Sequence, residues 1–195
     1  MAKIKVLIQG YASKKEGRAS SSATLIIEND SRIIVDPGID RQKLLDALKK
    51  EKLSVQDINF VILTHTHVDH AALAGIFEKA KIVDNSEIST FDGGFEENQE
   101  TKIPDTNIKI IQTPGHDQFH CSLLVETDDL GKVMVAGDLF WWWDEERQMN
   151  DQFSLLNRQD PYVKDKKAIS ESRKKILKIA DYIIPGHGKM FKVEK

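Results

Sequence analysis

One short stretch, His65-Thr66-His67-Val68-Asp69-His70, carries four side chains able to bind a metal ion. Further along, His116 follows Thr113-Pro114-Gly115, Asp138 follows Gly137 at the end of an apolar run, and His187 sits in Pro185-Gly186-His187-Gly188. Five of the six histidines thus fall in three motifs. Imidazoles and carboxylates are the usual ligands of zinc, iron and manganese. The pattern points to a centre for two divalent ions. A lone buried histidine is more often a hydrogen-bonded core residue, but such clustering is hard to explain that way.

The elements around the motifs show how they could meet. Asn59-Phe60-Val61-Ile62-Leu63 reads as a buried strand, and the first motif begins where it ends. In extended chain, side chains at i and i+2 share a side, so His65 and His67 can reach one ion. Asp69 and His70 fall at the start of the next helix, turned toward a second ion. His116, Asp138 and His187 each follow a strand, predicted at 107–112, 132–137 and 181–184. Strand C-terminal ends are where α/β proteins commonly build sites. Further strands are expected at 3–9, 22–28, 31–35 and 121–127, with Asn29-Asp30-Ser31 as a hairpin turn, and helices at about 40–52, 69–80 and 161–180. In the last helix Lys166, Lys167, Arg173, Lys174 and Lys175 are expected to face solvent. Residues 10–21 and 85–105 read as surface loops.

The chain has 195 residues, enough for one domain over 1–195 with a sizeable core. Its formal net charge of −3 gives no support for nucleic-acid steering across the whole surface. No apolar stretch approaches bilayer length, so no membrane partner is expected. Cys121 is the single cysteine, which excludes an internal disulfide. With no secretory signal pattern at the start, a cytoplasmic location is the simplest expectation.

The motifs, in this order and together with Asp36 in Val35-Asp36-Pro37-Gly38, resemble those of the metallo-β-lactamase-fold superfamily over essentially the whole chain. The resemblance implies a four-layer αβ/βα sandwich of the α/β class. It implies that His65, His67 and His116 bind one metal, that Asp69, His70 and His187 bind a second, and that Asp138 bridges them. Asp36 would hold the 64–67 loop by hydrogen bonds. The metals would be two divalent ions, zinc first, with iron or manganese as alternatives. No motif contains Cys, unlike the commonest β-lactamase subclass, and the flavodiiron glutamate is absent too.

Two such ions about 3.5–4 Å apart can share a water and lower its pKa, giving a hydroxide that attacks a carbonyl or phosphoryl centre. The expected activity is hydrolysis of a small-molecule ester, thioester, lactone or amide; the alternative is a phosphodiesterase or ribonuclease that uses the basic face of the last helix. No Ser or Cys nucleophile signature occurs. Asp69, Asp138 and His120 are the candidate catalytic groups, His120 being either a proton carrier or a residue that orients the turn. Phe140-Trp141-Trp142-Trp143 lines a substrate pocket, packs in the core or meets a second subunit of a homodimer. Three consecutive tryptophans cannot all face one side. The resemblance also implies that Tyr11 and Arg18, in the first loop, reach the substrate.

Overall fold

Residues 1–194 are described by a computed structural model; Lys195, the last residue of the expected domain, lies outside them. The strands are β1 Lys3–Ile8, β2 Tyr11–Ser13, β3 Arg18–Ser20, β4 Ala23–Glu28, β5 Ser31–Val35, β6 Phe60–Ile62, β7 Lys81–Val83, β8 Glu87–Ser89, β9 Phe95–Glu97, β10 Lys109–Gln112, β11 Cys121–Thr127, β12 Gly131–Gly137, β13 Tyr182–Pro185 and β14 Phe191–Lys192. The helices are α1 Arg41–Lys50, α2 Val68–Ala71, α3 Gln152–Asn157 and α4 Lys166–Ile179. One sheet runs β1-β4-β5-β6-β7-β8-β9, the second runs β10-β11-β12-β13-β14, and β2 pairs with β3 as a separate hairpin.

Strand alternation builds the layers. In β4, β5 and β6, Ile26, Ile33, Val35, Phe60 and Ile62 face the second sheet, while Leu25, Ile34 and Val61 face α1. In β11, β12 and β13, Leu123, Val125, Val133, Val135 and Ile184 face the first sheet, while Leu124, Met134, Ala136 and Ile183 face α4. Both faces of each central strand are therefore apolar, and each sheet is covered by a helix outside and the other sheet inside. The result is the expected four-layer αβ/βα sandwich. Each wholly buried Leu or Ile contributes roughly 1.5–3 kcal/mol.

The outer helices meet the sheets through matching stripes. α1 buries Leu44, Ala47 and Leu48, and Asp40 caps it by accepting from Lys43 N. α4 buries Ile169, Ile176 and Leu177, capped by Asp165. No helix among the described residues is long and apolar enough to cross a membrane.

The structure differs from the sequence expectation at several places. The helix expected over 69–80 is only α2 and a 3-10 turn at Ala74–Ile76, because Leu73 N donates to Gly38 O and leaves the helical ladder. The helix expected from 161 begins at Lys166, since Lys164 N and Asp165 N bond Gly115 O instead. The stretch 85–105 contains β8 and β9, and residues 10–21 contain the β2–β3 hairpin. Arg173 does not face solvent. It is buried with its guanidinium 5.7 Å from the Phe140 ring centre, donating to the carbonyls of Leu139 and Arg158. Its long apolar stem lets it pack on the α4 side of the core, with Nε and Nη1 held by those carbonyls and Nη2 buried with no hydrogen-bond partner among the described residues.

Candidate metal centre

The parallel pairs β5–β6 and β12–β13 end at the same edges of their sheets, and β10 runs the same way as β12, both being antiparallel to β11. Asp36, the 64–70 loop, His116, Asp138 and His187 all lie just beyond these C-terminal ends. Cross-sheet backbone bonds knit the edge together, Cys121 N to Thr64 O at 2.8 Å and Ser22 N to Gly186 O at 2.7 Å, and Gly186 N to Gly137 O at 2.8 Å ties the ends of β12 and β13 within their own sheet. Gly186 is required by close approach, since a Cβ there would lie 1.9 Å from Asp138 Oδ1.

Two groups of donor atoms result. The ligand-type atoms of His65, His67, His116 and Asp138 all lie within 4.8 Å of one another, as do those of Asp69, His70 and His187. Asp138 stands between the groups. Its Oδ2 is 3.4 Å from His116 Nε2 and 3.9 Å from His65 Nε2, while its Oδ1 is 3.2 Å from His70 Nε2 and 3.5 Å from His187 Nε2.

The outer hydrogen bonds determine which ring nitrogens face inward with lone pairs. Asp36 anchors the first loop: Thr64 N donates to Oδ1 at 2.8 Å, Thr64 Oγ1 to Oδ2 at 2.7 Å and His70 Nδ1 to Oδ2 at 2.8 Å. Because the Thr64 hydroxyl proton goes to Asp36, its oxygen accepts from His65 Nδ1 at 3.1 Å. His116 Nδ1 donates to Asp160 Oδ2 at 2.7 Å. His187 Nδ1 donates to the carbonyls of Tyr11 at 3.0 Å and Ser20 at 3.1 Å. The Nε2 lone pairs of His65, His70, His116 and His187 therefore all point into the cluster. His67 Nδ1 meets His65 Nε2 at 2.9 Å and His116 Nε2 at 3.1 Å. Such convergent nitrogens repel one another unless a proton or cation lies among them. His70 Nε2 and Asp138 Oδ1 are buried with no hydrogen-bond partner among the described residues. At 3.2 Å they are close but not aligned to satisfy each other. This donor set fits divalent cations.

Without a cation, the charges adjust. Burial pushes His187 down, but Asp138 and Asp69 outweigh it and hold the imidazole up at about 9. Burial likewise opposes charge on His70, and Asp138 with Asp36 holds it well above its ordinary value. Burial drives His65 well below its ordinary range. Burial works to raise Asp138, and His70 and His187 overcome it to hold the carboxyl well down. A metal competes with protons for His70 and His187, so its affinity falls as pH falls.

His120, the candidate proton carrier or turn-orienting residue, sits against His65. It is wholly buried, its Nδ1 meets Thr113 Oγ1 at 2.9 Å, and its ring packs 5.2 Å from that of His65. Burial, then the neighbouring His116, pushes it down to about 3. It does not line the cavity above the cluster.

That cavity has a volume of about 670 Å³. His67, Asp69, His116, Asp138 and His187 form its floor, and Tyr11, Arg18, Trp141, Trp143 and Tyr162 are among its walls. Trp142 instead packs in the core against Phe191, with ring centres 5.7 Å apart. The triplet thus divides as alternation requires, two rings to the cavity and one to the core.

Asp160 was not singled out by the sequence. An acid ahead of Pro161 looks like any turn residue, and nothing local marks it as buried. Burial works to raise its carboxyl, but the His116 hydrogen bond outweighs this and keeps it lowered. Asp160→Asn removes the charge that holds the His116 ring, and metal affinity is expected to fall roughly 10–100-fold. Competition with a chromogenic chelator measures this; an unchanged affinity would show that Asp160 only fills space.

A family model described as the metallo-beta-lactamase superfamily matches residues 17–90. Metallo-beta-lactamase domain-containing protein 1 of Xenopus laevis is 33% identical, over 98% of this chain and 82% of that protein. Among solved structures, a metallo-beta-lactamase-like protein of Thermotoga maritima superposes with a TM-score of 0.70 at 21% identity, covering 98% of this chain and 99% of that one. A dizinc quorum-quenching lactonase, solved with a homoserine product, gives 0.64 at 17% identity, over 91% of this chain and 76% of that one. A relative one-third identical along nearly the full length, and the fold these structures share, lead to one conclusion: the chain belongs to the metallo-beta-lactamase superfamily.

Proposed function

We propose that the protein is a binuclear metal-dependent hydrolase of small esters, thioesters, lactones or amides. The observation that carries this reading is the placement of Asp138, with Oδ2 toward one group of imidazoles and Oδ1 toward the other. On this reading His65, His67 and His116 hold one ion, Asp69, His70 and His187 hold the second, and Asp138 bridges. Zinc suits the nitrogen-rich set, and iron and manganese accept it too. When bound, the two ions supply Lewis acidity and a water of near-neutral pKa.

The chain's own residues do the rest. Asp69, partly open to the cavity, is placed to accept a proton at its carboxylate as water adds to the carbonyl. The aromatic walls exclude bulk water from that step. His120, with no face on the cavity, props His65 rather than moving protons. The dizinc lactonase supports a carbonyl substrate by analogy of fold. A phosphodiester substrate draws less support, because Arg173 is buried and, among the described residues, Arg18 is the one Lys or Arg on the cavity wall. The single buried cysteine suits a reducing compartment such as the cytoplasm.

Elemental analysis of purified protein, paired with a panel of carbonyl esters, lactones, amides and labelled RNA, tests the reading. About two metals per chain and carbonyl hydrolysis that His116→Ala abolishes are expected. Metal-loaded protein that cuts RNA alone, or nothing, would overturn it.

A further inference from the structure

The cavity walls are more specific than a generic carbonyl hydrolase needs. The Trp141 and Tyr162 rings stack at 5.8 Å and 28°, and Trp143 stands edge-on to Trp141 at 4.9 Å and 78°. These rings adjoin the cluster, since Trp141 lies 6.0 Å from the His187 ring. Tyr162, Val68 and Ile39 remain 53%, 68% and 43% exposed at the same mouth. Single exposed apolar side chains are ordinary, but several around one opening mark a surface that a ligand covers. Flat faces and edges set at right angles suit another flat ring better than a flexible chain.

The charge pattern is equally selective. Apart from the cluster's own residues, Arg18 is the one charged side chain lining the cavity among the described residues. Its guanidinium lies 5.7 Å from the Tyr11 ring centre, on the β2–β3 hairpin. Its acid partner is Glu16 at 3.1 Å, an exposed pair that a ligand anion can exchange at little cost. Lys43 over Tyr11 at 5.0 Å and Lys14 over Trp143 at 4.8 Å add positive charge at the rim, with Asp40 paired to Lys43 at 3.0 Å as the counterweight. A planar guanidinium fork matches a carboxylate.

We infer that the cavity selects an aromatic carbonyl substrate bearing a carboxylate, its ring held among Trp141, Trp143 and Tyr162 and its carboxylate read by Arg18. This rests on the hydrolase reading above and names the substrate class of the same site.

The test separates the two. Metal-loaded protein is titrated with 3-hydroxybenzoate, 3-hydroxybenzamide and 3-hydroxycyclohexanecarboxylate, following tryptophan fluorescence, and 3-acetoxybenzoate is assayed for hydrolysis alongside. The benzoate is expected to bind ~10-fold more tightly than either comparison compound, a preference that weakens with salt. Arg18→Gln is expected to bring benzoate and benzamide within about two-fold of each other, while Arg18→Lys keeps part of the difference. Arg18 is exposed, so both variants should fold; matching circular dichroism and melting temperature check this. Equal binding of acid and amide, a preference that survives Arg18→Gln, or a cyclohexane acid bound as tightly as the benzoate would each overturn the inference. A benzoate preference that needs Arg18, with no hydrolysis of any ester, thioester, lactone or amide, would uphold the inferred ligand class and overturn the hydrolase reading.

Discussion

Asp138→Ala is expected to strip metal from both halves of the centre and to lower turnover by at least ~10²–10³-fold, the loss typical when one preorganised electrostatic group is removed from an active site. The reason is geometric. Oδ1 and Oδ2 face different imidazole groups, so on the proposed reading one truncation removes a ligand from each. His116→Ala removes a donor from one group only. It should therefore leave about one metal per chain, where Asp138→Ala leaves well under one. Metal content of the two variants, measured beside wild type after the same dialysis, gives the answer. Full occupancy in Asp138→Ala, or equal losses in the two variants, would refute the bridging role.

Asp36→Ala should be the most destabilising single change near the centre, by about 3–5 kcal/mol, the cost of leaving buried partners of a charged group unpaired. The side chain is 2% exposed and accepts from Thr64 N, Thr64 Oγ1 and His70 Nδ1. Truncation orphans all three donors in the interior. At this chain length the midpoint of thermal unfolding should fall by roughly 10 °C. Asp36 also has a φ of +48°, a conformation that Asp and Asn tolerate better than Ala. Asp36→Asn keeps the backbone preference and one acceptor, so it should lie between wild type and Ala. Thermal melts of the two metal-free variants compare them; an Ala variant as stable as wild type would mean that the carboxylate does not hold the loop.

Much of the positioning was legible in the residues. Phe60-Val61-Ile62, Cys121–Thr127 and Gly131–Gly137 carry enough contiguous apolar residues to read as buried strands, and the structure places strands there. The short strands β7, β8 and β9 were not legible, because three residues hold no readable period and Glu-rich β9 is exposed on both faces. The β2–β3 hairpin read as a loop for the same reason. Its real anchors are distant: Glu145 accepts from Ser13 Oγ at 2.7 Å and Lys15 N at 3.1 Å, and Asp144 N donates to Ala12 O at 2.7 Å. The Ser13 hydroxyl first, then the bond from Lys15 N, hold the Glu145 carboxyl at about 2, with the Lys14 N bond adding to them.

By itself the chain determined its layers and its cluster of imidazoles and acids, because strand alternation and ligand spacing are written within a few residues of each other. Only the tertiary structure decided which nitrogen of each ring faces inward, since Asp160 lies 44 residues from His116 and Tyr11 lies 176 from His187. It also decided that Arg173 turns into the core and that Tyr11, Arg18, Trp141 and Tyr162 share one cavity. Tautomers, burial and cavity walls depend on partners brought together by packing over the whole chain, and no local stretch of sequence contains both partners.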